Sequence, residues 1–84
     1  MSSAKYIIFD NNTPFVVPEH ICLWTFYNAL MKARLVGVAT SAGKCYYDPK
    51  EGWVVFKGSQ NLGSLDVPCK YKEDAEVLNR QLFI

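Results

Sequence analysis

The chain has 84 residues, of which 50% are hydrophobic and 20% are charged, a composition typical of one folded domain rather than a disordered tail. Nine basic residues against eight acidic ones give a formal net charge of +1, which excludes a strong overall field for nucleic acid and leaves room only for a local basic face. No apolar run approaches the roughly 20 residues that span a bilayer. We therefore predict one soluble, cytoplasmic domain over residues 1–84.

The chain begins with two short β-forming runs. Lys5–Phe9 and Phe15–Val17 are rich in β-branched and aromatic residues, and the turn-forming run Asp10-Asn11-Asn12 lies between them. This pattern predicts two antiparallel strands joined by a tight connection. Because Pro14 cannot donate a backbone hydrogen bond, the second strand is predicted to be short or to lie at a sheet edge.

A helix is predicted next, from Pro18, which suits a first helical turn, to Ala33. Its apolar side chains fill an arc of roughly 220° on the helical wheel, whereas a helix lying on a sheet needs only about 100°. The excess includes Trp24, Tyr27 and Met31. Either the C-terminal helix packs beside this helix and covers the excess, or a second copy or another protein does so.

The middle of the chain predicts a strand followed by a β-hairpin. Val36–Thr40 is β-forming, and Ser41–Gly43 indicates a bend or bulge. The segment Gly43–Gly58 then has β-forming flanks around a turn. The turn residues are Asp48, Pro49 and Gly52.

The hairpin has two predicted faces. If Cys45 pairs with Val55 and Tyr47 pairs with Trp53, the alternation of side chains along a strand places the remaining residues together on the other face. These residues are Lys44, Tyr46, Val54 and Phe56. Aromatic residues interleaved with lysines on strands are typical of single-stranded nucleic-acid binders, so this face is a predicted alternative binding surface.

The C-terminal part predicts a loop, an extended segment and a helix. Gly58–Ser64 is loop-like, Leu65–Cys69 is extended or irregular, and Lys72–Phe83 has helical periodicity. The apolar seam of that helix comprises Tyr71, Ala75, Leu78 and Leu82, while Glu76 and Arg80 face away from it. The predicted fold class is therefore α+β, a small antiparallel sheet of about five strands packed against two helices in the order ββαβββα.

No pattern in the sequence favours catalysis, a metal or a cofactor. The potential zinc ligands lack paired spacing, and the odd number of cysteines argues against a disulfide framework; these residues are His20, Cys22, Cys45 and Cys69. A nucleophilic site would need Ser41 or Cys45 to meet His20 and Asp66 without any local nucleophile motif. The run Gly58–Gly63 lacks the Lys-Ser/Thr pair of a phosphate loop. We predict a non-enzymatic protein with no metal and no cofactor.

Three runs resemble a group of short proteins encoded in bacterial genomes and their mobile elements, including phages and gene cassettes. The runs are Tyr6–Asp10, Thr40–Tyr46, and Gly58–Gly63 followed by Glu73–Arg80. The group has no known activity, so the resemblance implies a small soluble accessory protein and no mechanism.

The predicted function is that of a non-enzymatic accessory protein of a mobile genetic element, which acts through contact with a protein partner or as a homodimer. The alternative is a single-stranded nucleic-acid-binding module that uses the aromatic and lysine face of the hairpin. No membrane association is expected. The predicted interaction surface comprises Trp24, Tyr27, Met31, Lys44, Tyr46, Trp53 and Phe56.

Overall fold

The computed structural model describes residues 3–34, 37–56 and 67–82. Within these ranges the elements are β1 (Ala4–Phe9), β2 (Thr13–Pro18), α1 (Leu23–Lys32), β3 (Ala39–Asp48), β4 (Gly52–Val55) and α2 (Tyr71–Gln81). The four strands form one antiparallel sheet in the order β2-β1-β3-β4. The α+β class with an antiparallel sheet and two helices is confirmed.

The predicted strand count is too high, because the described chain has four strands in the order ββαββα. The expected bend at Ser41–Gly43 is instead the middle of the long strand β3, where Ser41, Ala42 and Gly43 pair with Ile8, Ile7 and Tyr6 of β1. Small residues opposite large ones leave room for bulky side chains on the sheet. The expected irregularity is present nearby, since the register shifts between Ile8 and Phe9.

The first helix begins later than predicted, because Pro18 ends β2 opposite Ala4 instead of opening the helix. A residue without a backbone N–H suits an outward-facing position of an edge strand as well as a first helical turn. A short turn follows, in which the Ile21 N–H donates to the Pro18 carbonyl at 3.0 Å, and Leu23 opens α1.

The two predicted turns, between β1 and β2 and between β3 and β4, are both present. Asp10 and Asn11 have φ of 54° and 59° between β1 and β2, a left-handed conformation that short polar side chains tolerate. In the hairpin between β3 and β4, the Asp48 carboxylate accepts the Lys50 N–H at 2.8 Å, and Gly52 has φ of 86°.

The predicted loop Gly58–Ser64, the dismissed phosphate loop Gly58–Gly63, Leu65, Asp66, Val36 and Phe83 lie outside the described residues. Residues 67–69, the last part of the segment predicted to be extended or irregular, have no regular secondary structure, and the Pro68 carbonyl accepts the Ala42 N–H at 3.1 Å. The second helix is confirmed over Tyr71–Gln81.

The sheet carries one helix on each face, with a separate hydrophobic cluster under each. The α1 cluster is built on Ile7 and Phe9 of β1, with further buried residues Val17, Leu23, Leu30 and Ala42. The α2 cluster is built on Tyr6 and Ile8 of β1, with further buried residues Cys45, Val55, Val77 and Leu78. Alternate side chains of β1 therefore serve opposite layers, which gives a three-layer α/β/α arrangement.

Candidate interaction surfaces

Two of the four exposed large hydrophobic side chains in the described chain lie on the outer side of α1. We call Trp24, Tyr27 and Met31 the α1 strip. Trp24 and Met31 are each 41% exposed, and Tyr27 is half-buried. Leu23 and Leu30 are the buried residues of α1, so the helix uses a narrow part of its apolar arc to pack on the sheet.

The α1 strip is exposed because α2 packs on the opposite face of the sheet. The sequence left open whether the C-terminal helix covers the excess apolar surface of α1. The fold shows that α2 does not cover it. The other side of α1 does find intramolecular cover, where Phe26 contacts Phe15 of β2 with ring centroids 5.9 Å apart.

Trp24 is exposed but held in place by an aromatic stack. Its ring lies 5.8 Å from the ring of Tyr27, which in turn lies parallel to the ring of Phe9 at 6.1 Å. Phe9 is fully buried in the α1 cluster. Because stacking on Tyr27 restricts the Trp24 ring, a partner would order that side chain at a reduced entropic cost.

Polar and charged groups surround the α1 strip unevenly. Asn28 lies between Trp24 and Met31, and its amide nitrogen donates to the Trp24 carbonyl at 3.0 Å. Lys32 and Arg34 are exposed at the C-terminal end of α1. The first turn of α1 carries no acidic residue, so the strip is apolar at its centre and cationic at one end.

The predicted pairing within the hairpin is confirmed. Cys45 lies opposite Val55, and Tyr47 lies opposite Trp53. The opposite face of the hairpin therefore carries Lys44, Tyr46, Val54 and Phe56. On that face the rings of Tyr46 and Phe56 are 5.2 Å apart, and Phe56 is 39% exposed.

Trp53 belongs to the opposite face from Tyr46 and packs with the α2 cluster. Its indole N–H donates to the Leu82 carbonyl at 3.0 Å, and its ring meets Tyr47 edge-on at 5.3 Å. The structure therefore separates Trp53 from the other hairpin residues of the predicted surface. Tyr46 and Trp53 do both reach one open cleft of about 750 Å³ at the end of the sheet, beyond the start of β1 at Ala4.

Both outer strands of the sheet are poor templates for a further strand. Pro14 and Pro18 lie four residues apart on β2, and neither has an N–H to offer to a further strand. On β4, the side-chain amide of Asn79 accepts the Trp53 N–H at 2.8 Å and donates to the Trp53 carbonyl at 3.0 Å. Gly52 permits this approach, because a Cβ there would lie 2.4 Å from the Asn79 oxygen.

A buried polar cluster under α2 was not predicted from the sequence. The Asp74 carboxylate accepts from the Tyr6 hydroxyl at 2.5 Å, the Ser41 hydroxyl at 2.8 Å and the Lys70 N–H at 3.0 Å. The usable signal was the position of Asp74 on the helix seam, three residues after Tyr71 and four before Leu78. All these groups are satisfied internally, so the cluster joins β1, β3 and α2 rather than opening to a ligand.

Of the residues considered for catalysis or zinc binding, Asp66 lies outside the described part of the chain, and Cys69 packs against the α2 cluster that contains Cys45. Ser41 is engaged with Asp74, and burial raises the pKa of the Cys45 thiol to about 12, which keeps it protonated at neutral pH. Cys22 is exposed at the start of α1, where the Thr25 backbone N–H, and then its hydroxyl, hold the thiol pKa below its ordinary value. Among the described residues no group of three His, Cys, Asp or Glu side chains could hold a metal ion.

Comparison with known proteins found no matching family model, no matching curated protein and no matching solved structure. The resemblance to short proteins of mobile elements therefore stays a prediction. In the part of the chain that the structure describes, neither helix has the length and apolar character needed to cross a bilayer.

Proposed function

We propose that this chain is a non-enzymatic accessory protein that acts through protein–protein contact at the α1 strip. The observation that carries the proposal is the stack from Trp24 through Tyr27 to the buried Phe9. Aromatic anchors of this kind dominate the energetics of protein interfaces, because they bury a large apolar area with few rotatable bonds. The accessory role within a mobile element follows from the sequence resemblance.

Capture from a bacterial lysate tests the proposal with three forms of the immobilised chain. The wild-type protein and a Lys72→Ala control, altered at an exposed position of α2, are expected to retain the same protein. Trp24→Ala is expected to retain at least about tenfold less of it, since loss of a central aromatic anchor has an effect of this size. Equal retention by a folded Trp24→Ala variant would contradict the proposal.

A second candidate function is single-stranded nucleic-acid binding by the hairpin face. It is favoured by the confirmed register, which places Lys44 beside Lys5 and near the Tyr46 and Phe56 rings. A base stacking on Tyr46 with its phosphate near the lysines would use the geometry of other single-strand binders. Retention on a single-stranded DNA column that falls with salt and is lost in Tyr46→Ala supports this candidate, and passage of the wild-type chain unretained at low salt rejects it.

A further inference from the structure

We propose that the protein bound by the α1 strip is a second copy of this chain, in an antiparallel contact between the two α1 helices related by a two-fold axis. This inference rests on the proposed function, because it names the partner of the same surface. A two-fold contact requires a surface that complements itself.

The α1 strip is self-complementary in shape and chemistry. Trp24 and Met31 are seven residues apart, so they lie on the same side of α1, two turns from each other. If the two-fold axis passes beside Tyr27 and Asn28, Trp24 of each copy lies against Met31 of the other. A methionine sulfur against an aromatic ring is a favourable contact, and the arrangement makes it twice.

The charges at the ends of α1 favour the antiparallel direction. Lys32 and Arg34 are exposed at the C-terminal end, and Glu19 is exposed in the turn before the N-terminal end. Lys5 also reaches this end, where its ammonium group donates to the Ile21 carbonyl at 3.0 Å. A parallel pair would bring both copies of Lys32 and Arg34 together, whereas an antiparallel pair separates them and places them beside an end of the other copy where Lys5 offsets the charge of Glu19.

Among the described residues, the two edge strands of the sheet are poorer routes for a second copy. The prolines of β2 and the Asn79 amide on β4 occupy the edges at which two sheets would otherwise join. The contact through α1 is small, because a helix of 10 residues is only about 15 Å long. We therefore expect a dissociation constant in the micromolar range, as for interfaces below about 1,200 Å².

Sedimentation equilibrium of three single variants and one mixture tests this geometry. The wild-type chain is expected to approach twice the 9.5 kDa of one copy as its concentration rises through the micromolar range. Trp24→Lys and Met31→Glu, each alone, should raise the dissociation constant at least about 30-fold, because two unfavourable contacts replace two anchor contacts. Lys72→Glu on the opposite side of the molecule should dimerise like the wild type.

An equal mixture of Trp24→Lys and Met31→Glu is the decisive sample. In the proposed contact the lysine of one chain meets the glutamate of the other, and the remaining Trp24 meets the remaining Met31. The mixture is therefore expected to form a heterodimer although neither variant associates alone. A mixture that stays monomeric overturns the proposed geometry.

A further variant keeps the proposal testable if Trp24→Lys or Met31→Glu fails to fold. Asn28→Arg changes an exposed residue near the axis, where the two arginines would meet and repel, so a folded variant should also be monomeric. A wild-type mass of 9.5 kDa at every concentration overturns the dimer. If Trp24-dependent capture of a different protein persists in that case, the proposed function stands and only the second copy is wrong; if both fail, the α1 strip is not a binding surface.

Discussion

Asp74 shows how single residues connect the layers of this fold. A carboxylate that is 2% exposed is costly to bury unless hydrogen bonds replace water. Here the hydroxyls of Tyr6 and Ser41 and the Lys70 N–H donate to it, and the first turn of α2 adds its positive end. Desolvation, followed by the bond to Asp74, raises the Tyr6 pKa above its usual range, so the phenol stays a donor at neutral pH.

The buried Cys45 thiol makes the stability of the fold depend on pH in a predictable direction. Burial raises the thiol pKa from its ordinary value of 9.0, which we take for the unfolded chain, to about 12 in the native site. Between these two pKa values the unfolded chain loses the thiol proton while the folded chain keeps it. The contribution of this group to the free energy of unfolding is therefore fully present below pH 9 and is lost as the pH rises toward 12.

Removing the thiol should remove this part of the alkaline destabilisation. The free energy of unfolding of the wild type is expected to fall more steeply than that of Cys45→Ala, by up to about 1.4 kcal/mol per pH unit. Urea denaturation of both proteins at several alkaline pH values measures the difference, in which contributions from other titrating groups cancel. Parallel pH profiles would show that the Cys45 thiol ionises equally well in the native site.

At the scale of elements, α2 is docked by a narrow seam. Leu78 is fully buried, whereas Glu76 is exposed on the outer side of the helix. Replacing Leu78 with Ala should cost about 2–5 kcal/mol, as for a buried leucine whose site cannot fully collapse. Replacing Glu76 with Ala should lower the free energy of unfolding by only a few tenths of a kcal/mol, which is the typical contribution of one exposed ion pair on a helix.

Urea denaturation of the two α2 variants provides the comparison. Both variants introduce alanine into the same helix, so a difference in intrinsic helix propensity cannot account for a difference of several kcal/mol in the free energy of unfolding. Similar midpoints and slopes for Leu78→Ala and Glu76→Ala would mean that α2 is not packed on the sheet.

Elements whose structure depends on neighbours in the chain were predictable, and their placement in space was not. The hairpin register follows from Asp48, Pro49 and Gly52, because turn chemistry fixes which residues face each other. The start of α1 was mistaken because Pro18 suits both a strand edge and a helix start. Contacts over long sequence separation, such as Asn79 with Trp53 or Asp74 with Tyr6, leave only a weak trace in local pattern.

At the scale of the whole molecule, the decisive feature is the assignment of the helices to opposite faces. An amphipathic helix pattern shows that a helix packs on the sheet but does not identify the face. The informative signal was in β1, where Tyr6–Phe9 is a continuous apolar run, typical of a strand buried on both sides. Within the described residues this arrangement leaves Trp24 and Met31 of the α1 strip exposed, and every proposal about that strip depends on it.

Three buried valines test the three-layer arrangement directly. Val17 lies in the α1 cluster, whereas Val55 and Val77 lie in the α2 cluster, and all three are similarly buried. Each Val→Ala change should cost about 1.5–3 kcal/mol, because it removes two methyl groups and leaves a small cavity. These costs are mild enough for double variants of a small domain to stay folded.

The comparison is between two double-mutant cycles measured by urea denaturation. Val17 and Val77 are separated by the sheet, so their effects should add to within about 0.5 kcal/mol. Val55 and Val77 share one cluster, so their cycle should show a larger coupling, because the two cavities can relax together. If Val17 and Val77 instead couple as strongly as Val55 and Val77, the helices share a face, α2 covers the excess apolar surface of α1, and the α1 strip is not available to a partner.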